Sequence, residues 1–160
     1  MQLYLIRHGE KTTALHGDPA LTNHGHAQAA NLKEYLEKRK LPLPTQILCS
    51  TKIRTQQTME PLAKALNIEI QISENLEEKS SLESGLEFET RIEKVLESFK
   101  ENQITCVCSH YDWVIVASQI LLKQKFLHHG ACHHWQPCQV VFFEKREDDF
   151  FVVDHGVVST

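Results

Sequence analysis

Short apolar runs alternate along this chain with longer segments of helical periodicity, and that alternation limits the possible folds more than any other feature. Residues 2–7 are a compact apolar run with turn-forming residues behind it, as in a buried strand. From Gln28 to Lys40, Ala29, Leu32 and Leu36 recur at helical spacing, with Thr22 or Asn23 available as N-cap and Pro42 as the stop. Ile47–Cys49 make a second short strand. A helix from about Lys52 to Leu66 follows, with Pro61 inside it, where a missing donor predicts a kink or reset. Residues 68–72, Ile-Glu-Ile-Gln-Ile, alternate strictly and predict a strand with one wet face. Ser73–Gly85 is polar and acidic and reads as a loop. Phe88, Ile92, Val95, Leu96 and Phe99 then mark an amphipathic helix. Ile104–Cys108 are a third buried strand, and Asp112 is placed to cap a helix reaching about Leu122. Gln139–Glu144 and Phe150–Asp154, joined by a charged turn, read as a hairpin.

Strands alternating with helices of this length predict βαβ units and the α/β class: a three-layer α/β/α sandwich with a mostly parallel central sheet and a C-terminal hairpin. No Ser/Gly-rich linker, repeat or low-complexity tract divides the chain, so residues 1–160 read as one domain. Apolar residues make up 41% and charged residues 24%, which excludes disordered and collagen-like chains. A formal net charge of −4 leaves no broad electrostatic footprint for nucleic acid. The run Leu3–Ile6 is too short for a signal-peptide core, and no stretch approaches about 18 apolar residues. A cytoplasmic protein without a membrane partner is therefore expected. Cys49, Cys106, Cys108, Cys132 and Cys138, irregularly spaced, read as reduced thiols in that compartment.

In open parallel sheets ligands bind beyond the carboxyl ends of the strands. Three sets lie there: Arg7-His8-Gly9, Ser50 to Arg54, and Ser109-His110. The expected fold by itself thus collects two arginines and two histidines. Arg7-His8-Gly9-Glu10 after the first strand resembles the signature of the histidine phosphatase superfamily, also called phosphoglycerate-mutase-like. Leu21-Thr22, Gly25 and Gln28-Ala29 resemble its following helix start, and Ser50-x-x-x-Arg54-Thr55-x-Gln57-Thr58 its second-arginine motif. Val107-Cys108-Ser109-His110 resembles its second histidine. The resemblance spans about residues 1–122.

The residue types suit the chemistry that the resemblance implies. A neutral imidazole nitrogen of His8 can attack phosphorus and form a phosphohistidine, splitting one displacement into two. Arg7 and Arg54 disfavour an imidazolium and match phosphoryl oxygens with planar forks. His110 adds a hydrogen bond to an equatorial oxygen, and Gly9 is expected to let the backbone turn sharply towards the anion. Such a site needs no cofactor or metal. As general acid the resemblance nominates Glu78, in Leu76-Glu77-Glu78, with Glu77 and Glu83 as competitors in the same loop. Glu10 and Thr12 are candidates for the pocket mouth.

The implied activity is a metal-independent phosphohydrolase, of the histidine-type acid phosphatase kind, acting on a small phosphate ester or a phosphoprotein. A phosphohistidine leaving group needs less acid help, so a protein phosphohistidine phosphatase like bacterial SixA, about this short, is an alternative. Phosphoglycerate mutase activity and a non-catalytic phosphate-binding module are further alternatives. The sequence departs from the pattern at Tyr111, where glycine usually follows the second histidine. The segment 128–138 carries His128, His129, Cys132, His133, His134 and Cys138, but without the spacing of a recognised zinc site. It reads as a connecting loop and strand, with His133 or His134 near enough in the chain to border the substrate.

Overall fold

The computed structural model describes residues 1–13, 17–123, 130–132 and 134–160. In chain order the elements are β1 (Gln2–Arg7), α1 (Asn23–Lys38), β2 (Gln46–Cys49), α2 (Ile53–Leu66), β3 (Ile70–Ile72), α3 (Gly85–Glu97), β4 (Ile104–Ser109), α4 (Tyr111–Leu122), β5 (Gln139–Arg146) and β6 (Asp149–Val157). The strands form one six-stranded sheet in the order β3-β2-β4-β1-β5-β6. Pairings β3–β2, β2–β4 and β4–β1 are parallel, whereas β5 lies antiparallel to β1 and β6 to β5. The mostly parallel sheet and the terminal hairpin agree with the sequence expectation.

Strand alternation on β1 explains the layers. Leu3 and Leu5 point into a core built with Phe88 and Ile92 of α3 and Trp113 and Val114 of α4. Tyr4 and Ile6 point the other way, onto Leu32 and Leu36 of α1 and Met59 and Leu62 of α2. Helices on both faces bury β1 completely, which is why its interior is an uninterrupted apolar run.

Local chemistry corrects several boundaries. Thr22, not Asn23, caps α1, its hydroxyl accepting from the Gly25 amide at 3.0 Å, so the helix starts five residues before Gln28. Lys52 is the N-cap of α2 rather than its first turn, and α2 runs through Pro61 unbroken, with Thr58, Met59, Leu62 and Ala63 buried on both sides of it. Asn67 ends that helix in the left-handed conformation, and the Ile68 amide donates to the Ala63 carbonyl at 2.9 Å. This removes Ile68 from the ladder, so β3 holds only three residues at the sheet edge, and Ile72 is 55% exposed. Asp112 does not cap α4. His110 occupies that position, and the Asp112 carboxylate, in the first turn, accepts from the Lys79 and Trp113 amides at 2.6 and 2.8 Å.

Two glycines meet where the loop after β1 crosses the start of α1. Gly9 does not adopt a left-handed conformation, contrary to the sharp turn expected of it; a Cβ there would stand 3.1 Å from the Gly25 carbonyl oxygen. A Cβ on Gly25 would run into the Glu10 carbonyl oxygen, which is backbone and cannot swing away. Gly25→Ala is therefore expected to lower the unfolding free energy by about 1–3 kcal/mol. Urea denaturation of the variant beside wild type checks this; an unchanged midpoint would show that the crossing has slack.

Candidate active site

The site lies where β1, β2 and β4 end. Register pairs Arg7 with Ser109 across β1–β4 and Cys49 with Cys108 across β2–β4, so Arg7-His8, Ser50 and Ser109-His110 leave the sheet side by side. The His8 amide donates to the Ser109 carbonyl at 3.0 Å, extending the ladder by one rung. The Gly9 amide donates to Thr58 Oγ1 at 2.9 Å, the Glu10 amide to Gln28 Oε1 at 3.0 Å and the Leu21 amide to Gln57 Oε1 at 2.9 Å. The polar residues of the motifs thus hold the loop backbone that presents His8. From the far side, the Cys138 amide lies 3.1 Å from both the Arg7 and His8 carbonyls.

His8 is buried, and its Nδ1 lies 2.8 Å from the Gly9 carbonyl oxygen. A carbonyl only accepts, so Nδ1 carries the proton and Nε2 keeps its lone pair. Burial first, then the charges of Arg54, Arg7 and Lys11, bring the His8 pKa down to about 4, against the opposing pull of the Gly9 carbonyl. The His110 ring lies edge-on to it, with centroids 5.5 Å apart. Burial, followed by Arg54, His8, Lys52 and Arg7, takes the His110 pKa to about 2. Both rings are neutral at physiological pH.

Arg54, in the first turn of α2, is 3% exposed and is the hub of the site. Its Nη1 donates to Asp18 Oδ1, and its Nη2 to Glu78 Oε1 and to His110 Nδ1, each at 3.0 Å. Arg7 Nη1 donates to the Trp135 carbonyl at 2.5 Å, and its guanidinium stacks on the Tyr111 ring at 5.1 Å from the centroid. Burial lowers the Arg7 pKa. The Nε atoms of Arg7 and Arg54 are buried without a hydrogen-bond partner among the described residues. Unspent donors of two guanidinium groups beside an unprotonated imidazole nitrogen make a pocket suited to a tetrahedral oxyanion.

The acidic loop is tied down rather than freely solvated. The Ser109 hydroxyl donates to the Leu76 carbonyl at 2.6 Å and Trp113 Nε1 to the Asn75 carbonyl at 3.0 Å. Arg91 donates to the Asn75 carbonyl and forks onto Glu83 with two bonds of 2.8 Å. These anchors separate the three glutamates. Glu83 is spent on Arg91; Glu77 on Thr51 and, at 3.4 Å, on Lys52; Glu78 alone of the three reaches Arg54, with Oε2 4.0 Å from His110 Nδ1. The hydrogen bond from Arg91 lowers the Glu83 pKa and that from Thr51 the Glu77 pKa.

The structure thus brings Arg7, His8, Arg54, His110 and Glu78 together. Glu10 is exposed, accepting from the Thr22 hydroxyl at 2.7 Å, and Thr12 bonds to the Ala20 carbonyl, so both shape the adjoining loop. The sequence reading missed Asp18, whose Oδ2 also accepts from the Ile53 amide at 2.7 Å at the start of α2. Its only signal is an Asp-Pro turn pair in a loop of otherwise unreadable composition. His128, His129 and His133 lie outside the described residues, and His134 is exposed. Among the described residues, no three His, Cys, Asp or Glu side chains are grouped to hold a metal ion, and no helix is long and apolar enough to cross a membrane.

Two histidines that stay neutral when folded but protonate near pH 6.5 when unfolded make stability depend on pH. Their contribution is fully present above about pH 6.5. It is lost as pH falls through the window reaching about 4 for His8 and about 2 for His110. Urea unfolding is expected to give a lower free energy at about pH 5 than at about pH 7, with a smaller drop in the His8→Asn/His110→Asn double variant. Equal slopes in the two proteins would remove these rings as the source.

The model of the "Histidine phosphatase superfamily (branch 1)" matches residues 3–82. No curated protein matches the chain at a significant level. Among solved structures, the candidate phosphohistidine phosphatase SixA from Agrobacterium tumefaciens superposes with a TM-score of 0.79 at 19% identity, over 98% of this chain and 97% of its own. A phosphoserine phosphatase from Entamoeba histolytica, in complex with 3-phosphoglyceric acid, gives 0.75 at 17% identity over 96% and 95%. A candidate alpha-ribazole-5'-P phosphatase from Escherichia coli gives 0.76 at 18% identity over 100% and 96%. With half of the chain matched by the family and nearly all of it sharing the fold, this protein belongs to the histidine phosphatase superfamily, branch 1, and is a hydrolase of the histidine phosphatase type.

Proposed function

We propose that the chain, acting as one catalytic domain, is a metal-independent phosphohydrolase that forms a phosphohistidine on His8. The observation that carries this reading is the Nδ1 hydrogen bond to the Gly9 carbonyl, which leaves Nε2 as a neutral nucleophile between two arginines. Arg7 and Arg54 hold the phosphoryl group. An incoming phosphate takes over bonds that Arg54 makes to Asp18 and Glu78, exchanging carboxylate oxygens for phosphoryl ones.

His8 Nε2 attacks phosphorus as the bond to the leaving oxygen breaks, and Glu78, protonated, delivers a proton to that oxygen. The resulting carboxylate then draws a proton from water as the water attacks phosphorus, which frees His8 and returns inorganic phosphate. Glu78 fits this role because it is half-exposed at the mouth and stands beside the arginine from which the phosphate displaces it.

The favoured substrate is a phosphate monoester, since a general acid stands at the site. A phosphohistidine protein is the second reading, favoured by the exposed Tyr111 ring standing over Arg7 where the superfamily pattern has glycine. The SixA-like fold is consistent with it. The test is hydrolysis of an aryl phosphate and of a phosphohistidine peptide, both in EDTA, by wild type, His8→Ala and Glu78→Gln. His8→Ala is expected to lose turnover of both and to trap no phosphoenzyme on acid-free quenching. Glu78→Gln is expected to lose roughly 10²–10⁴-fold on the ester while leaving phosphohistidine turnover unchanged. Normal turnover by His8→Ala would reject the nucleophile, and loss of activity in EDTA would reject metal independence.

A further inference from the structure

The hydrogen bonds around His110 fix which of its ring nitrogens carries the proton. A guanidinium only donates, so His110 Nδ1, 3.0 Å from Arg54 Nη2, is an acceptor. The single ring proton therefore sits on Nε2, which lies 2.8 Å from Ser50 Oγ. Ser50 is fully buried, and its oxygen also receives the Lys52 amide at 3.2 Å. Its own proton goes to Thr55 Oγ1 at 3.1 Å, and Thr55 donates onward to the Lys52 carbonyl at 2.8 Å. Every donor and acceptor of Ser50 is used, which clamps the His110 proton on Nε2. Nδ1 thereby carries a lone pair and no proton, engaged by Arg54 Nη2, in the corner beside Glu78 that a phosphoryl oxygen held by Arg54 would enter. The hydrogen bond expected of His110 towards phosphate is not available from this state: a lone pair facing a bare phosphoryl oxygen is repulsive.

We propose that the site takes its phosphomonoester as the monoanion, which still carries one proton, and that Ser50 is the positioning residue that imposes this choice through His110. On binding, the P–O–H bond opens: its proton forms a bond to His110 Nδ1, and the oxygen keeps the electron pair. The phosphate becomes a dianion held by Arg7 and Arg54. His110 becomes an imidazolium whose two N–H groups run to that oxygen and to Ser50. When inorganic phosphate leaves, it takes the proton back, so no net proton is consumed. The groups facing His110 account for the direction of this exchange. Burial first, then Arg54 and Lys52 from the start of α2 and His8 and Arg7 from the end of β1, keep the ring neutral. The negative charge that the incoming phosphate brings against the ring reverses that balance. The proposal rests on the reading of the site as a phosphohydrolase centre.

The test uses the full chain labelled with ¹⁵N-histidine and inorganic phosphate as probe, the His110 signals being assigned by their loss in His110→Asn. The free protein is expected to show His110 protonated on Nε2 alone, and the phosphate-saturated protein to show both ring nitrogens protonated. Phosphate affinity is expected to fall about tenfold per pH unit once free phosphate loses its second proton. Ser50→Ala is expected to move the resting proton towards Nδ1 and to flatten that dependence, and Ser50→Cys, which keeps an acceptor of similar shape, to restore part of it. A free protein with the proton on Nδ1, a singly protonated His110 under bound phosphate, or a pH-independent wild-type affinity would each overturn the proposal, and the affinity measurement needs no variant to fold. Absence of phosphate binding would overturn the phosphohydrolase reading as well. Aryl phosphate turnover through His8, with phosphate bound and no proton taken up, would overturn this proposal alone.

Discussion

The parallel pairing of β1 with β4, in the register that sets Arg7 opposite Ser109, is the constraint on which the remaining structure depends. Both strands are buried on two faces, so their side chains divide strictly between two cores and a slip of one residue would exchange the faces. One residue past the pair, the His8 amide still bonds to Ser109, and the following backbone turns His110 into α4. The separation of the two imidazoles is thus set by the sheet rather than by the loops. Ser109, through its hydroxyl bond to Leu76, also carries the acidic loop to the same place.

Around that pair the site is a problem in buried charge. A guanidinium as enclosed as Arg54 is costly unless its donors are satisfied; Asp18, Glu78 and His110 take its two Nη atoms, while Nε has no partner among the described residues. In the proposed reaction phosphoryl oxygens replace these carboxylates on Arg54, which would make anion binding an exchange of like partners rather than the filling of an apolar hole. Burial first, then Arg54 and Arg7 among the nearby charges, keep both histidines neutral, which the proposed reaction requires of the one that attacks and of the one that accepts a proton. Positive charge that would repel an imidazolium attracts a phosphate, and one arrangement serves both ends.

Most of the elements were legible because their signals are local. β1, β2 and β4 are short apolar runs, and α3 shows its face through Phe88, Ile92, Val95 and Leu96. The errors came where one backbone group had two possible partners. Strict alternation over 68–72 suggested a five-residue strand, but the Ile68 amide is taken by the end of α2. Asp112 has the composition of a cap, yet the chain leaves β4 so abruptly that His110 already holds that place. Among Glu77, Glu78 and Glu83 only the resemblance nominated Glu78, because which of them reaches Arg54 depends on where Thr51, Lys52, Arg54 and Arg91 stand.

By itself the sequence determined the layer architecture, since periodicity and burial are written residue by residue, and it gathered Arg7, His8, Arg54 and His110 at one edge, since strand ends in a parallel sheet point there. Only the tertiary structure decided that Arg54 is bracketed by Asp18 and Glu78, and that Arg7 is stacked on Tyr111. It also decided which nitrogen of each imidazole carries the proton. These are relations between residues as many as 128 positions apart, as Arg7 is from Trp135. They depend on directions and distances of a few ångströms, which composition and spacing along the chain do not encode.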